Sequence, residues 1–427
     1  MLAAIATVFV IAYVAIAFEA PLRINKSASA LIGAGTLWTI YALSPGAGSQ
    51  VGEQLGQALN ATAQIVLFLM AAMTIVVVID AHNGFEVITA RIRPASLSGL
   101  IGLIGIITFF LSAILDNLTT TIVMVSLIRK LLQKSEDRLI FAGVVVIAAN
   151  AGGVWSPIGD VTTSMLWIGT QITGLFVVKA LFFPSLVCLS LPLGIVAFKL
   201  RGRQFIGLPS NNGSGGQQAS GFERNTMFFL GLAILVAVPA FSSLTNLPPF
   251  MGILLGLGVL WLIGDFLHRD KSDEERQRLT LVHAITRIDM ASIMFFVGIL
   301  LSIAALEHTN TLTALTAFLN RTVGRQDLVV LIIGLASAIV DNVPLVAAST
   351  GMYSPNSFPT NHFIWAFLAY CAGTGGSILV IGSAAGVAAM GLEKITFAWY
   401  FRNVSGLALL GYLAGAGAYL LQHSTIN

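Results

Sequence analysis

Two acidic–amide pairs stand out because each lies in the middle of an otherwise apolar stretch. Asp116 and Asn117 interrupt one stretch, and Asp341 and Asn342 interrupt another at the same offset in the second half of the chain. A carboxylate that faces lipid costs about 2.5–3.5 kcal/mol on insertion scales. Asp and Asn are also good helix N-caps, but capping alone does not explain the same pair in both halves. We predict that both pairs belong to an ion site.

A glycine-rich segment follows each acidic pair. Residues 150–160 read Asn-Ala-Gly-Gly-Val-Trp-Ser-Pro-Ile-Gly-Asp, and residues 373–383 read Gly-Thr-Gly-Gly-Ser-Ile-Leu-Val-Ile-Gly-Ser. Glycine and proline interrupt helices, and an interrupted helix can turn backbone groups toward a site at membrane depth. Close packing through small residues is the alternative, but polar side chains accompany these glycines. Those that we add to the predicted site are Asn150, Ser156, Asp160, Thr374 and Ser377.

The predicted site offers carboxylate, amide and hydroxyl oxygens, which suit a hard cation such as sodium, and no His/Cys cluster of the transition-metal type. The side chains predicted to hold the ion are Asp116, Asn117, Asn150, Asp160, Asp341 and Asn342. Asp160 breaks the symmetry of the halves, because Ser383 is its counterpart. We expect that the three carboxyl groups do not all ionise together in the empty site, so that a proton and a sodium ion compete for the same oxygens.

The composition indicates a membrane protein: 56% of the 427 residues are hydrophobic and 10% are charged, against roughly 25% charged in soluble domains. A helical span needs about 20 apolar residues. Ten segments qualify: 2–18, 27–44, 59–80, 139–170, 174–199, 226–244, 250–268, 289–306, 362–391 and 399–422. We therefore expect a multi-pass all-α protein surrounded by the lipid bilayer of a bacterial inner membrane.

The basic residues serve as topological markers, because short loops rich in Lys and Arg stay in the cytoplasm. They place the N-terminus outside, with Arg321 and Arg325 as exceptions. The formal net charge of +3 therefore does not indicate a nucleic-acid partner. Glu19 and Lys26 flank the first loop and are predicted to form an interfacial pair.

The chain divides at a flexible cytoplasmic linker, residues 204–224, into a first repeat (1–203) and a second repeat (225–427). Each half contains five predicted spans, and two copies of an odd-span unit in series enter the membrane from opposite sides. The repeat is therefore predicted to be inverted, as in secondary transporters with alternating access. The stretches that carry the acidic pairs, 97–133 and 327–352, are predicted to be re-entrant hairpins.

Three motifs resemble those of the NhaD-type sodium/proton antiporters of the ion transporter superfamily: residues 116–121, 150–163 and 373–386. The resemblance implies an elevator-type fold, a homodimer, and cation sites at the two hairpin tips and two broken helices. It also implies a scaffold and a transport part in each repeat, with the scaffold at 1–95 and 225–325 and the transport elements at 96–203 and 326–427. The expected function is exchange of Na⁺ or Li⁺ for H⁺ with no cofactor.

Other functions remain open. An anion or oxyanion carrier of the same superfamily, such as an arsenite exporter, is the main alternative. Dicarboxylate carriers of this group have Ser-Asn-Thr at their hairpin tips, whereas both tips here read Asp-Asn and would repel an anion. An intramembrane aspartyl protease is disfavoured, because residues 157–160 read Pro-Ile-Gly-Asp instead of Gly-x-Gly-Asp. A passive channel is disfavoured by the repeat. We predict a transporter and not an enzyme.

Overall fold

The fold is helical wherever it is described. A computed structural model describes residues 2–17, 19, 24–44, 50–89, 96–203, 220–269, 271–272, 279–309, 311, 324–339, 341–353 and 358–426, and every regular element in these ranges is a helix. In the first half these are α1 (Leu2–Ala17), α2 (Lys26–Ala42), α3 (Gln50–Ala81), α4 (Glu86–Thr89), α5 (Leu97–Ser112), α6 (Asn117–Leu131), α7 (Ser135–Val154), α8 (Val161–Ile168) and α9 (Gly174–Lys199). In the second half these are α10 (Gly221–Thr245), α11 (Pro249–Leu267), α12 (Leu281–Thr286), α13 (Met290–His308), α14 (Gln326–Ala336), α15 (Asn342–Met352), α16 (Phe363–Gly375), α17 (Ala384–Glu393), α18 (Phe397–Tyr400), a π-helical turn (Phe401–Ser405) and α19 (Gly406–Ile426).

Within the described ranges, seven helical stretches are long and apolar enough to cross a membrane, three fewer than the ten predicted spans. Two of the missing three, 2–18 and 27–44, fold as helices of 16 and 17 residues. The third, 362–391, is divided into α16 and α17. The segment 139–170 is likewise divided, and only its first part, α7, is long enough to span. These features confirm a polytopic membrane protein.

The breaks occur where a glycine brings two backbones together. A Cβ added to Gly152 near the end of α7 would lie 2.2 Å from the carbonyl oxygen of Phe109 in α5. In the second half, a Cβ added to Gly375 at the end of α16 would lie 2.0 Å from the carbonyl oxygen of Gly334 in α14. Only glycine permits either approach, because such short contacts exclude any side chain.

The two acidic stretches also break where predicted. Residues 113–116 separate α5 from α6, and residues 337–341 separate α14 from α15. The serine before each break donates the same kind of hydrogen bond to the neighbouring broken helix. Ser112 Oγ donates to the carbonyl of Ala149 at 2.6 Å, and Ser337 Oγ donates to the carbonyl of Ala372 at 2.7 Å. The halves therefore repeat contacts as well as motifs.

The helices pack as two bundles, each drawing on both halves of the chain. We call α1, α2, α3, α10, α11, α12 and α13 the wall bundle, in which α2 packs on α13 and α3 on α11. We call α5, α6, α7, α8, α9, α14, α15, α16, α17 and α19 the broken-helix bundle, in which α9 packs on α19 and α6 on α17. Contacts between the bundles include α8 against α3 and α15 against α13.

The predicted linker is too long at its C-terminal end, because α10 already begins at Gly221. A capping box starts this helix: Ser220 Oγ accepts from the Glu223 amide at 3.2 Å, and the Glu223 carboxylate accepts from the Ser220 amide at 2.9 Å. This reciprocal pair satisfies free amide groups of the first turn. Parts of the predicted linker and topology lie outside the described residues, namely 204–219 and Arg321.

Candidate ion-binding site

A cavity of about 80 Å³ lies between the two bundles. One water needs roughly 10–15 Å³ measured in this way, so the cavity has room for an ion with some of its hydration. Both acidic pairs and Asp160 line it. Asp116 and Asp341, which are 225 residues apart in sequence, therefore face the same space.

Four helices begin at the cavity. Asp116, Asp160, Asp341 and Ser383 occupy the N-cap positions of α6, α8, α15 and α17. The N-terminus of a helix carries a partial positive charge of roughly half an elementary charge, and bare helix N-termini are ready anion sites. Here three of the four caps are carboxylic acids, so the chain itself supplies the negative groups.

Asp116 caps its own helix. Its carboxylate accepts hydrogen bonds from the Thr119 amide at 2.8 Å and from Thr119 Oγ1 at 2.6 Å. The capping interpretation is therefore confirmed for Asp116. Because this residue is only half-buried and lines the cavity, capping does not remove its carboxyl group from the cavity.

Asn117 and Asn150 form a hydrogen-bond chain that crosses between the halves. Asn117 Nδ2 donates to Asp160 Oδ1 at 2.8 Å and to Asn150 Oδ1 at 3.0 Å. Asn150 Nδ2 in turn donates to the hydroxyls of Ser377 at 2.8 Å and Ser383 at 2.9 Å. Because the amide nitrogen of Asn117 is held by protein acceptors, its carbonyl oxygen is the atom it can offer to a cation.

Asp160 is the most deeply buried of the three carboxyl groups, with 2% of the residue exposed. Besides the Asn117 amide, its carboxylate accepts a hydrogen bond from Thr162 Oγ1. Buried carboxylates are costly unless hydrogen-bonded or paired, and these donors lower that cost. Among the residues that the structure describes, no three His, Cys, Asp or Glu side chains form a metal-type cluster. The carboxyl groups line the cavity separately, and amide and hydroxyl oxygens must complete any coordination.

Asp341 does not cap its helix and instead pairs with a lysine of the wall bundle. Its Oδ2 lies 2.7 Å from Lys26 Nζ, and this ammonium also lies 4.5 Å from the ring centroid of Phe295. The predicted pair of Glu19 and Lys26 is present but uses the backbone of the lysine: the Glu19 carboxylate accepts a hydrogen bond from the Lys26 backbone amide at 3.2 Å. The pattern of a lysine opening an apolar helix was visible in the sequence, but its partner is 315 residues away.

The remaining predicted residues fall into two groups. Asn342 lines the cavity, whereas Asn150 and Ser377 lie behind it and are hydrogen-bonded to the lining residue Asn117 in the order Asn117, Asn150, Ser377. Ser156 lies in the break after α7, where its Oγ accepts from the Ile158 amide at 3.4 Å. Thr374 lies in the last turn of α16, where its Oγ1 donates to the carbonyl of Tyr370 at 2.6 Å. An ion-site role for these last two stays a prediction. Sequence reasoning did not select Ser383 and Lys26, although Ser383 was recognisable as the counterpart of Asp160.

Comparison with known proteins identifies the family. The profile described as citrate transporter, CitMHS, matches residues 13–373. The chain belongs to the citrate transporter family. Its relatives within this family of transporters include proteins named for cation exchange. Sodium/proton antiporter 1 of Arabidopsis thaliana is 48% identical over 99% of this chain and 72% of the relative.

Two further relatives extend this similarity. Sodium/proton antiporter 2 of Arabidopsis thaliana is 46% identical over 98% of this chain and 99% of its own length. The Na⁺/H⁺ antiporter NhaD of Alkalimonas amylolytica is 31% identical over 97% of this chain and 89% of its own length. The resemblance to NhaD-type antiporters is thereby confirmed, and the family points to membrane transport instead of enzymatic catalysis.

Proposed function

We propose that this member of the citrate transporter family is a secondary active antiporter that exchanges Na⁺, or Li⁺, for H⁺. The observation that carries the proposal is the chemistry of the four helix N-termini at the cavity. Three of them carry a carboxylic acid at the N-cap position, namely Asp116, Asp160 and Asp341. A site that supplies its own carboxylates neutralises the helix dipoles and leaves oxygen ligands for a small cation.

Citrate or another anion is the second candidate substrate class, favoured by the description of the family. Three carboxyl groups and one lysine line the cavity. An anion would have to enter against the charges of these carboxyl groups, and the single ammonium is already paired with Asp341. Like charges at close range are costly in a site that excludes water. Cation exchange is therefore the better fit.

Competition between a cation and a proton for the same carboxylates is the simplest mechanism of exchange. A cation bound between the carboxylates and a proton bound on one of them neutralise the same charge, so each excludes the other. The apparent affinity for sodium should therefore weaken as the pH falls. The candidate ligands for this competition are Asp116, Asn117, Asn150, Asp160, Asp341 and Asn342, with Ser156, Thr374 and Ser377 in supporting positions.

Alternating access is supported by the matched contacts of the two halves and by the two bundles. Ser112 and Ser337 bond to corresponding carbonyls, as expected for inverted repeats 1–203 and 225–427. The helices of the wall bundle fall within 1–95 and 225–325, the proposed scaffold, except that α10 begins four residues earlier at Gly221, and those of the broken-helix bundle fall within 96–203 and 326–427. The proposal includes an elevator-like movement of the broken-helix bundle, a homodimer and a bacterial inner membrane.

The test is ion-driven proton movement in proteoliposomes that hold the purified full-length protein and an acidic interior. Addition of NaCl or LiCl outside should raise the internal pH, reported by a weak-base dye, whereas choline chloride should not. Asp160→Asn should abolish the response. Asp265→Asn, which alters a carboxyl group near the end of α11 outside the cavity, should retain it.

Choline citrate provides the opposing outcome. If external citrate is transported while NaCl and LiCl leave the internal pH unchanged, the protein is an anion carrier and the antiport proposal fails.

A further inference from the structure

The two bundles meet at the cavity with very different surfaces. The broken-helix bundle contributes three carboxyl groups and two asparagines. The wall bundle contributes mainly apolar side chains: Phe68, Leu69, Ala72, Met73, Val76, Leu235 and Phe296. Of the described residues that line the cavity, Ser292 and Lys26 are its polar contribution, and Lys26 is its charged one. An apolar wall offers few hydrogen bonds that a moving bundle must break.

Lys26 has other carboxylates nearby, yet its ammonium is bonded to Asp341. Glu19 accepts from the Lys26 backbone amide, and Asp289 caps α13 by accepting from the Ser292 amide at 3.1 Å. Both of these belong to the wall bundle or its flank. Asp341 belongs to the opposite bundle, and its side chain makes no capping bond that would compete for the lysine. The ion pair is therefore a link between the bundles.

We propose that Lys26 is a latch that holds the empty site against the wall bundle and that the transported cation releases it by taking its place at Asp341. This inference rests on the proposed antiport function. When Asp341 is ionised and has no ligand, the Lys26 ammonium neutralises it and joins the two bundles. When Na⁺ binds to Asp341, the attraction between Lys26 and Asp341 is lost and the broken-helix bundle can move.

The latch would enforce exchange. An antiporter dissipates the ion gradient that drives it if the empty carrier returns across the membrane without a counter-ion. The latch closes only when Asp341 is ionised and holds no ion. It would therefore hold back the empty carrier, which would uncouple sodium transport from proton transport if it crossed the membrane. Lys26 is thus a positioning residue that acts through Asp341, and it also competes with the transported cation for that carboxylate.

The test compares Lys26→Met, Lys26→Arg and wild type in proteoliposomes, with sodium efflux and proton influx measured in the same sample. Lys26→Met should lower the half-saturating sodium concentration by about tenfold, within the usual 5–150-fold range of coupled equilibria. It should also increase the sodium moved per proton, because the empty carrier returns freely. Lys26→Arg should restore the wild-type ratio. Arg325→Met, which breaks an exposed ion pair with Asp327 outside the cavity, is the matched control.

A wild-type ratio and a wild-type half-saturating concentration in Lys26→Met would overturn the latch. A purely structural defect would lower both fluxes together without changing their ratio. Should Lys26→Met fail to fold, wild-type protein provides the second measurement, namely labelling of Lys26 by an amine-reactive reagent, quantified by mass spectrometry. NaCl should increase this labelling over choline chloride. If labelling is equal in NaCl and in choline chloride while the wild-type protein exchanges sodium for protons, only the latch is refuted. If the wild-type protein shows no sodium–proton exchange, the proposed function is refuted.

Discussion

Asn150 links the two halves of the site through three hydrogen-bonded partners. It accepts from Asn117 and donates to Ser377 and Ser383, and it is fully buried. Asn150→Ala should therefore remove one hydrogen-bond donor from each of two buried hydroxyls and one acceptor from the Asn117 amide, at a cost of about 1–3 kcal/mol. We expect a lower Tm in detergent and a weaker apparent sodium affinity, measured by sodium-dependent proton release.

Asn403→Ala is the matched control for this prediction. Asn403 also donates a hydrogen bond, to the carbonyl of Trp399 at 2.8 Å, but it is exposed. Its substitution should leave both quantities near wild type. Equal effects of the two variants would mean that the buried chain of amides does not organise the site.

At the scale of single residues, sequence reasoning found the groups that are unusual for their surroundings. Asp116 and Asp341 were recognisable because a carboxyl group in an apolar stretch needs a reason. Lys26 was not, because a lysine that opens an apolar helix is common at membrane interfaces. Its partner depends on how distant helices pack, and a single sequence does not contain that information.

Gly152 shows why the helix breaks are sensitive to size. Its missing side chain allows α7 to touch the backbone of α5, with a hypothetical Cβ 2.2 Å from the Phe109 carbonyl oxygen. Gly152→Ala must push the two helices apart, and overpacking of this kind costs typically about 1–3 kcal/mol. A reduced Tm and loss of transport are expected.

Gly102→Ala is the control on the neighbouring helix α5, because a Cβ there meets nothing within 4 Å. Removing a helical glycine in open space should be neutral or slightly stabilising. If Gly152→Ala tolerates heating as well as Gly102→Ala does, the close approach is not required for the fold.

A pair of histidines lies just beyond the ends of α3 and α11. His82 Nδ1 donates to the Val78 carbonyl at 2.7 Å, and His82 Nε2 lies 3.0 Å from His268 Nε2. One ring must therefore donate to the other, which requires at least one neutral imidazole. Burial lowers the pKa of His82, and burial together with His82 lowers the pKa of His268 to about 4. Glu223, Lys271 and Asp265 are the charged groups that act on the pair.

This pair makes stability depend on pH. An unfolded histidine has a pKa of about 6.5, whereas the pKa values of the folded pair are lower. At a pH between the lowered pKa values and about 6.5, the unfolded chain therefore binds more protons than the folded chain. The stabilising contribution is present above about pH 6.5 and is lost as the pH falls toward 4. The Tm of the wild type should decrease over this interval, and His268→Gln should flatten the decrease. The same slope in both proteins would contradict the prediction.

At the scale of helices, composition located the breaks but not the lengths. Glycine, Pro157 and the Asp-Asn pairs predicted where helices end, because each has a local stereochemical cause. The start of α10 was misplaced by several residues, since the flexible composition before it concealed the capping box of Ser220 and Glu223. The number of apolar runs in the sequence also exceeded the number of long apolar helices, because hydropathy does not show where a helix ends within a run.

The two halves are joined at the whole-molecule scale by an ion pair on the broken-helix bundle. The Glu393 side chain at the end of α17 is only 2% exposed, and its carboxylate lies 3.0 Å from Arg138 Nε and 3.5 Å from Arg129 Nε. Arg138→Met removes the nearer partner of a buried charge. We expect a loss of about 1–3 kcal/mol, the penalty of an uncompensated polar group, seen as a lower Tm.

Glu393→Gln combined with Arg138→Met should recover part of this loss, because the buried charge is then absent. Arg325→Met, at an exposed pair, should change the Tm little. A Tm for Arg138→Met as high as that of Arg325→Met would show that the pair does not hold the halves together.

The whole-molecule arrangement was the least accessible to sequence. The motifs predicted two related halves and a shared site, and Asp116 and Asp341 do line one cavity. Which helices of each half pack together, however, depends on tertiary contacts such as Arg138 with Glu393. The relevant residues are 255 positions apart, and neither is unusual in its own segment.

Lys26 is the first residue of α2, a helix of 17 residues and hence about 25 Å long. Asp341 is therefore level with one tip of this helix and not with its middle. If α2 crosses the bilayer as predicted, Asp341 is nearer to the membrane face that the first basic loop is predicted to occupy than to the other face. In the elevator-like movement that we propose, this conformer would be one extreme, and the opposite extreme would bring Asp341 to the far tip of α2.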